Sequence, residues 1–151
     1  MYLYDISKDE WKQLAPLKRG RHSHSCTIVN YLSSTAVLVC GGVDRSDCEL
    51  YDPAKNKWNA GPSLPTTLEG SSMISASSGS SYSAFILGGY YYGYSNVIYG
   101  VHKEVSSVER LGTLSKPRGY HITVRTNFTC KWLTSINAYD ITIYILSTYL
   151  W

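Results

Sequence analysis

Hydrophobic and polar positions alternate along this chain in short blocks, and no block has a helical period. "HSCTIVN" (24–30) is β-branched and apolar, and the polar "YLSST" after it marks a turn. "TAVLVC" (35–40) is apolar throughout, as in a strand covered on both faces. Gly41-Gly42 ends it, and "VDRSD" (43–47) is a charged loop. "CELY" (48–51) is the third strand. "DPAKNK" is a turn, in which Pro53 presets φ and Asp52 and Asn56 can bond local backbone. "KWNAG" is the fourth strand and "PSLPTT" leads onward. Four short strands in about 50 residues predict an all-β chain.

The same pattern recurs at an offset of 47. Leu3-Tyr4-Asp5 falls on Leu50-Tyr51-Asp52, Trp11 on Trp58, and Leu17 on Leu64. Gly41-Gly42 falls on Gly88-Gly89, after the apolar "AFIL". Two Tyr–Trp pairs and two Gly pairs in one register make an internal repeat, and a period of this size signals a solenoid, propeller or array. With four antiparallel strands per unit, the repeat reads as a β-propeller blade. Tyr and Trp then face each other across a hairpin, where large rings can pack against the next blade.

At 151 residues the length suits one domain. Aromatics are mostly Tyr, which suits strands, and a net charge of +3 does not argue for nucleic acid. The four cysteines form no CxxC pair. Cys26 and Cys40 lie in apolar runs and read as buried, reduced thiols. The N-terminus shows no signal peptide pattern, and no segment has 18 consecutive apolar residues, so neither secretion nor a membrane partner is expected.

"TAVLVCGGVDRSDCELYDPAKNKWNAGPSLP" resembles a kelch repeat: a double Gly after an apolar strand, then Glu-x-Tyr-Asp, a short turn and Trp. The resemblance implies kelch-type propeller blades of four antiparallel strands, about two to three of them, in an incomplete propeller. On this alignment residues 1–17 supply the last two strands of a preceding blade, 18–65 a complete repeat, and 66–115 a second, divergent one. Residues 116–151 start a third repeat that passes into a degenerate segment from about residue 125. The divergence is placed after Gly89. Six residues separate Gly42 from Glu49, but 17 separate Gly89 from "SVERL" (107–111), which is read as the third strand with the Trp turn missing after it. Three blades do not close an ordinary ring, so the expectation is a fragment of a longer protein or closure by self-association.

Strand order puts the a–b and c–d turns on one face and the b–c and d–a loops on the other. The second face collects Lys18, Arg19, Arg21 and His22, then Asp44 and Arg45, then Tyr91, Tyr92 and Tyr94. These are the candidate partner-binding residues, because loops on rigid scaffolds carry binding and Tyr and Arg dominate hot spots. The basic loop would favour an acidic peptide. Each set also has a plainer reading: a solvated loop for the cations, packing on a neighbouring blade for the tyrosines. Gly41, Gly42, Gly88, Gly89, Tyr4, Trp11, Tyr51 and Trp58 are the structural repeat residues. His22, His24 and Cys26 alternate and would share one face of a strand, which permits a zinc site but supplies no fourth ligand. No G-x-S-x-G, phosphate loop or dinucleotide fingerprint is present.

The resemblance implies a non-catalytic protein-interaction module, cytoplasmic and without a cofactor. It would bind a substrate or partner as cullin-ligase adaptors and actin-binding kelch proteins do. No BTB or BACK segment is legible, so ligase recruitment would belong elsewhere. The alternatives are a remnant of a secreted copper enzyme similar to galactose oxidase, or a truncated fragment with no independent function.

Overall fold

Within the first hairpin and the two four-stranded sheets each strand pairs with the next in sequence, because the connecting turns return the chain antiparallel. The computed structural model describes residues 1–125 except residue 77, and the backbone of two later strands at 135–138 and 141–146. Strands β1 (Tyr2–Asp5) and β2 (Glu10–Gln13) form a hairpin. Strands β3 (Ser25–Tyr31), β4 (Ser34–Cys40), β5 (Asp47–Asp52) and β6 (Lys57–Ser63) form a four-stranded sheet in that order. A second such sheet holds β7 (Ser72–Ser75), β8 (Tyr82–Leu87), β9 (Val97–His102) and β10 (Val108–Thr113). The last sheet runs β11 (Ile122–Arg125), β13 (Ile141–Leu146), β12 (Ser135–Ala138), so its order is not the sequential order of the two blades. The first strands β3, β7 and β11 are successive neighbours, as the inner strands of a propeller are.

The apolar stretch of β4, residues 36–40, is covered on both faces. Ala36, Leu38 and Cys40 join Leu50, Leu68, Ala84, Ile86 and Val101 in a core shared between the two blades. Val39 lies on the other side with Tyr51 and Trp58. In β8 the alternation repeats: Ala84 and Ile86 face the first blade, and Phe85 and Leu87 pack with Ile98 and Leu114 beyond.

The Tyr–Trp pairs lie across hairpins, with ring centroids 5.0 Å apart for Tyr4–Trp11 and 5.1 Å for Tyr51–Trp58. Tyr51 and Trp58 do not pack on the next blade, as the sequence pattern suggested. They pack on Leu14, Ala15 and Leu17, toward the preceding unit, because residues at these positions of β5 and β6 point away from the shared core. The indole Nε1 of Trp58 donates to the Ala15 carbonyl at 2.9 Å.

The second blade is complete, which corrects the placement of its third strand. Val97–His102 is that strand, pairing Leu87 with Ile98 and Ile86 with Tyr99. "SVERL" belongs to the fourth strand, β10. Nine residues, 88–96, therefore form the b–c loop, against six, 41–46, in the first blade. The Glu-x-Tyr-Asp signature was misleading here because the register places Tyr99, Gly100 and Val101 where the first blade has Glu49, Leu50 and Tyr51.

The cysteines also differ from expectation. Cys40 and Cys48 face each other on β4 and β5 with Cα atoms 4.1 Å apart and are joined in a disulfide. Register alone brings them together, since directly opposed residues of an antiparallel pair are this close. Cys26 is an exposed thiol rather than a buried one.

Candidate partner-binding face

Two kinds of loop meet at one end of the blades: the b–c loops 41–46 and 88–96, and the d–a loops ahead of β3, β7 and β11. The double glycines fit them together. Gly41 and Gly88 take matching left-handed conformations, φ 68° and 60°. A Cβ on Gly41 would overlap the Leu68 carbonyl oxygen, and one on Gly88 the Arg118 carbonyl oxygen. The following glycines use the same carbonyls, with Gly42 N donating to Leu68 O at 2.9 Å and Gly89 N to Arg118 O at 2.7 Å. Each b–c loop is thus hydrogen-bonded to the lead-in of the next blade.

Nearer the axis the lead-ins join one another. Ser23, Gly70 and Tyr120 occupy equivalent positions and share φ near 54° (54°, 57° and 53°). Gly70 N donates to Ser23 O at 2.8 Å, and Tyr120 N to Gly70 O at 2.6 Å. The hydroxyls of Ser25 and Ser71 add a buried bond of 2.9 Å.

The candidate residues separate on this frame. Lys18, Arg19 and His22 are exposed. The first two are fixed through their backbone, their N–H groups donating to the Glu49 carboxylate at 2.8 and 3.3 Å. Arg21 departs from its expected role, because its side chain is 0 % exposed. Its guanidinium donates to the carbonyls of Gly41 and Asp47, and to the carboxylates of Asp47 at 3.0 Å and Glu49 at 2.8 Å. It ties the loop together and is closed to a partner. Asp44 is exposed at the loop tip, and Arg45 is half-buried between Asp47 and the Gly20 carbonyl. His24, just ahead of β3, is held below the usual histidine range by burial and by Arg21. Among the described residues no group of three His, Cys, Asp or Glu is placed to hold a metal ion, and His22, His24 and Cys26 make none.

The tyrosines stand on the second blade. Tyr90 pairs with Glu69 through two backbone bonds and bridges to Tyr94, whose ring meets its own edge-on at 5.7 Å. Tyr91 and Tyr92 stack edge-on at 4.7 Å. Tyr92 is 91 % exposed and left-handed, φ 51°, an unusual state for a bulky residue and one that holds the ring out from the loop. The two candidate sets are connected through the lead-in of β7, where Leu68 N donates to Arg45 O and Glu69 bonds Tyr90.

Sequence reasoning passed over Tyr120, which is exposed with its ring lying on Gly70, and over Lys116 and Arg118 in the same lead-in. Their alignment with residues 18–23 was the available signal. Lys18, Arg19, Lys116 and Arg118 stand on this face against Asp44 and Glu69, apart from the internally paired Arg21, Arg45, Asp47 and Glu49.

Residues 20–65, which hold the complete first blade, match the Kelch motif family. That blade is a kelch repeat. F-box/kelch-repeat protein SKIP20 of Arabidopsis thaliana is 37% identical over 67 residues, 38% of this chain and 15% of that protein. Kelch-like protein 41a of Danio rerio is 37% identical over 62 residues, 38% of this chain and 10% of that protein. Kelch-like protein 40 of Mus musculus is 32% identical over 79 residues, 50% of this chain and 12% of that protein. The matched kelch region thus spans 10% to 15% of these relatives' lengths. The solved structure of YjhT superposes with a TM-score of 0.62 over 76% of this chain and 34% of that one, at 18% identity, which shows a common fold.

Proposed function

We propose that this chain is a non-catalytic kelch module whose loop face binds a protein partner through an acidic peptide segment. The observation that carries this is the conjunction on one face of exposed tyrosine rings, Tyr91, Tyr92 and Tyr94, with the exposed cations Lys18 and Arg19. Rings of this kind supply contact area at low entropic cost, and the cations supply charge-assisted bonds to carboxylates. The relatives named F-box/kelch-repeat and kelch repeat and BTB domain-containing support a role beside an adaptor domain, with the kelch part holding the substrate. On this reading the chain works in the cytoplasm, and pairing of copies to extend the ring is a second mode of contact.

The test is fluorescence anisotropy with a labelled glutamate-rich peptide. Binding is expected to weaken as salt rises and to fall sharply in the Lys18→Glu, Arg19→Glu variant. Equal affinity in variant and parent would remove the basic loop from the interface.

A further inference from the structure

We propose that Cys40 and Cys48 are a reversible thiol–disulfide site that sets the mobility of loop 41–46 on the binding face. Its consequence for the partner rests on the function proposed above, but the site itself does not.

Three observations carry it. The ladder places the two residues directly opposite on the central strands β4 and β5, with β3 and β6 holding them from either side. The sulfurs therefore sit within bonding reach whether or not the bond is made. The second blade shows that the blade stands without it. Leu87 and Ile98 occupy the equivalent opposed positions and are held by apolar packing alone. A reduced pair of cysteines packs as two small hydrophobes in the same way. Finally, the bond closes the base of the loop. Cys40 precedes Gly41 and Cys48 follows Asp47, and both of those residues accept hydrogen bonds from Arg21. Oxidation thus fixes both ends of the segment that presents Asp44 and Arg45.

The chemistry is closed by a glutathione-type couple. Oxidation forms one S–S bond and releases two protons and two electrons. The electrons reduce a small-molecule disulfide to two thiols, and reduction reverses the exchange through thiolate attack. Both cysteines are buried, so a soluble thiol reaches them only when the loop opens locally. By linkage, a partner that grips the closed loop slows reduction of the bond. Cys26 lies opposite Val39, on the other face of the sheet, and is outside this exchange.

The full chain would be equilibrated in glutathione buffers from reducing to oxidising. Its redox state would be read by alkylation and peptide mass spectrometry, and the loop by amide hydrogen exchange. Both states are expected to be folded and interconvertible, with amides 43–46 exchanging about tenfold more slowly when oxidised. The Cys40→Leu, Cys48→Ile variant, which copies the second blade, is expected to exchange at one rate in every buffer. A bond that never forms, a bond that survives excess thiol in the folded protein, or equal loop exchange in both states would overturn the proposal. The wild-type comparison decides even where the double variant does not fold. If the glutamate-rich peptide binds neither state, the partner reading fails while the redox site is judged on exchange alone.

Discussion

Nη2 of Arg21 donates to Oε1 of Glu49 at 2.8 Å, and the two side chains are 0 % and 4 % exposed. Glu49 accepts two further bonds from the N–H groups of Lys18 and Arg19, so its charge is satisfied entirely from inside. The second blade solves the same position without charge, with Leu68 and Tyr99 both buried in the shared core. Replacing Arg21 by Leu alone strands a buried carboxylate and is expected to cost about 3–5 kcal/mol. The double change Arg21→Leu, Glu49→Tyr, which copies the second blade, is expected to recover most of that. Chemical denaturation of the three proteins measures both. An undiminished midpoint in Arg21→Leu would show that Glu49 finds water instead.

The double glycines make a sharper contrast. Gly41→Ala meets both a left-handed φ of 68° and the Leu68 carbonyl, and is expected to cost well over about 1 kcal/mol. Gly20→Ala, with nothing within 4 Å of the new Cβ and no left-handed φ, is expected to be neutral or slightly stabilising. Thermal melts of the two variants should move in different degrees, and equal melts would refute the packing argument.

Trp58 and Trp11 hold the same place in the repeat but differ in exposure, 3% against 70%. Trp58→Ala is expected to cost about 3–5 kcal/mol, because it opens a cavity and leaves the Ala15 carbonyl without its donor. Trp11→Ala is expected to stay within about 0.5 kcal/mol of the parent in this chain. A large loss from Trp11→Ala in the isolated protein would mean that something covers the first hairpin in solution.

Binding and folding should separate at Tyr92. Its ring touches only Tyr91 among the aromatic pairs, and its exposure is nearly complete. Tyr92→Ala is expected to leave stability within about 0.5 kcal/mol of the parent while weakening peptide binding by about tenfold. Unchanged anisotropy would take the tyrosine loop out of the interface.

Burial, with help from Arg118, pushes His121 down to about 4, and neither ring nitrogen has a partner. The unfolded histidine titrates near the ordinary value of about 6.5. Between those values the unfolded chain binds more protons, so stability falls as pH falls from about 6.5 toward 4. His121→Gln is expected to flatten that slope. Urea midpoints of both proteins at about pH 7 and about pH 5 test it, and parallel slopes would exclude His121 as the cause.

Much of the fold was legible in spacing. The double glycines and Tyr–Trp pairs marked four-stranded units because each answers a fixed backbone demand. The third strand of the second blade was not legible, since Val97–His102 carries no Glu or Tyr-Asp and its place depends on pairing with β8. Arg21 was misread because an arginine in a polar loop ordinarily points to water. The missing clue was Glu49, an acid in the otherwise apolar interior of β5 between Cys48 and Leu50, which needs a buried cation nearby. The opposed cysteines were discounted on expected compartment, although their positions at either end of one loop already allowed a bridge.

The bonds passing from Tyr120 to Gly70 to Ser23 bear on how such chains lengthen. Both described junctions use one backbone donor and one backbone acceptor, so the bond itself is independent of side-chain type, with Ser, Gly and Tyr at the three positions. A duplicated unit therefore arrives with its own fastening on both sides. Copy number can then change by gene duplication with these backbone bonds kept, while the outer loops remain free to diversify.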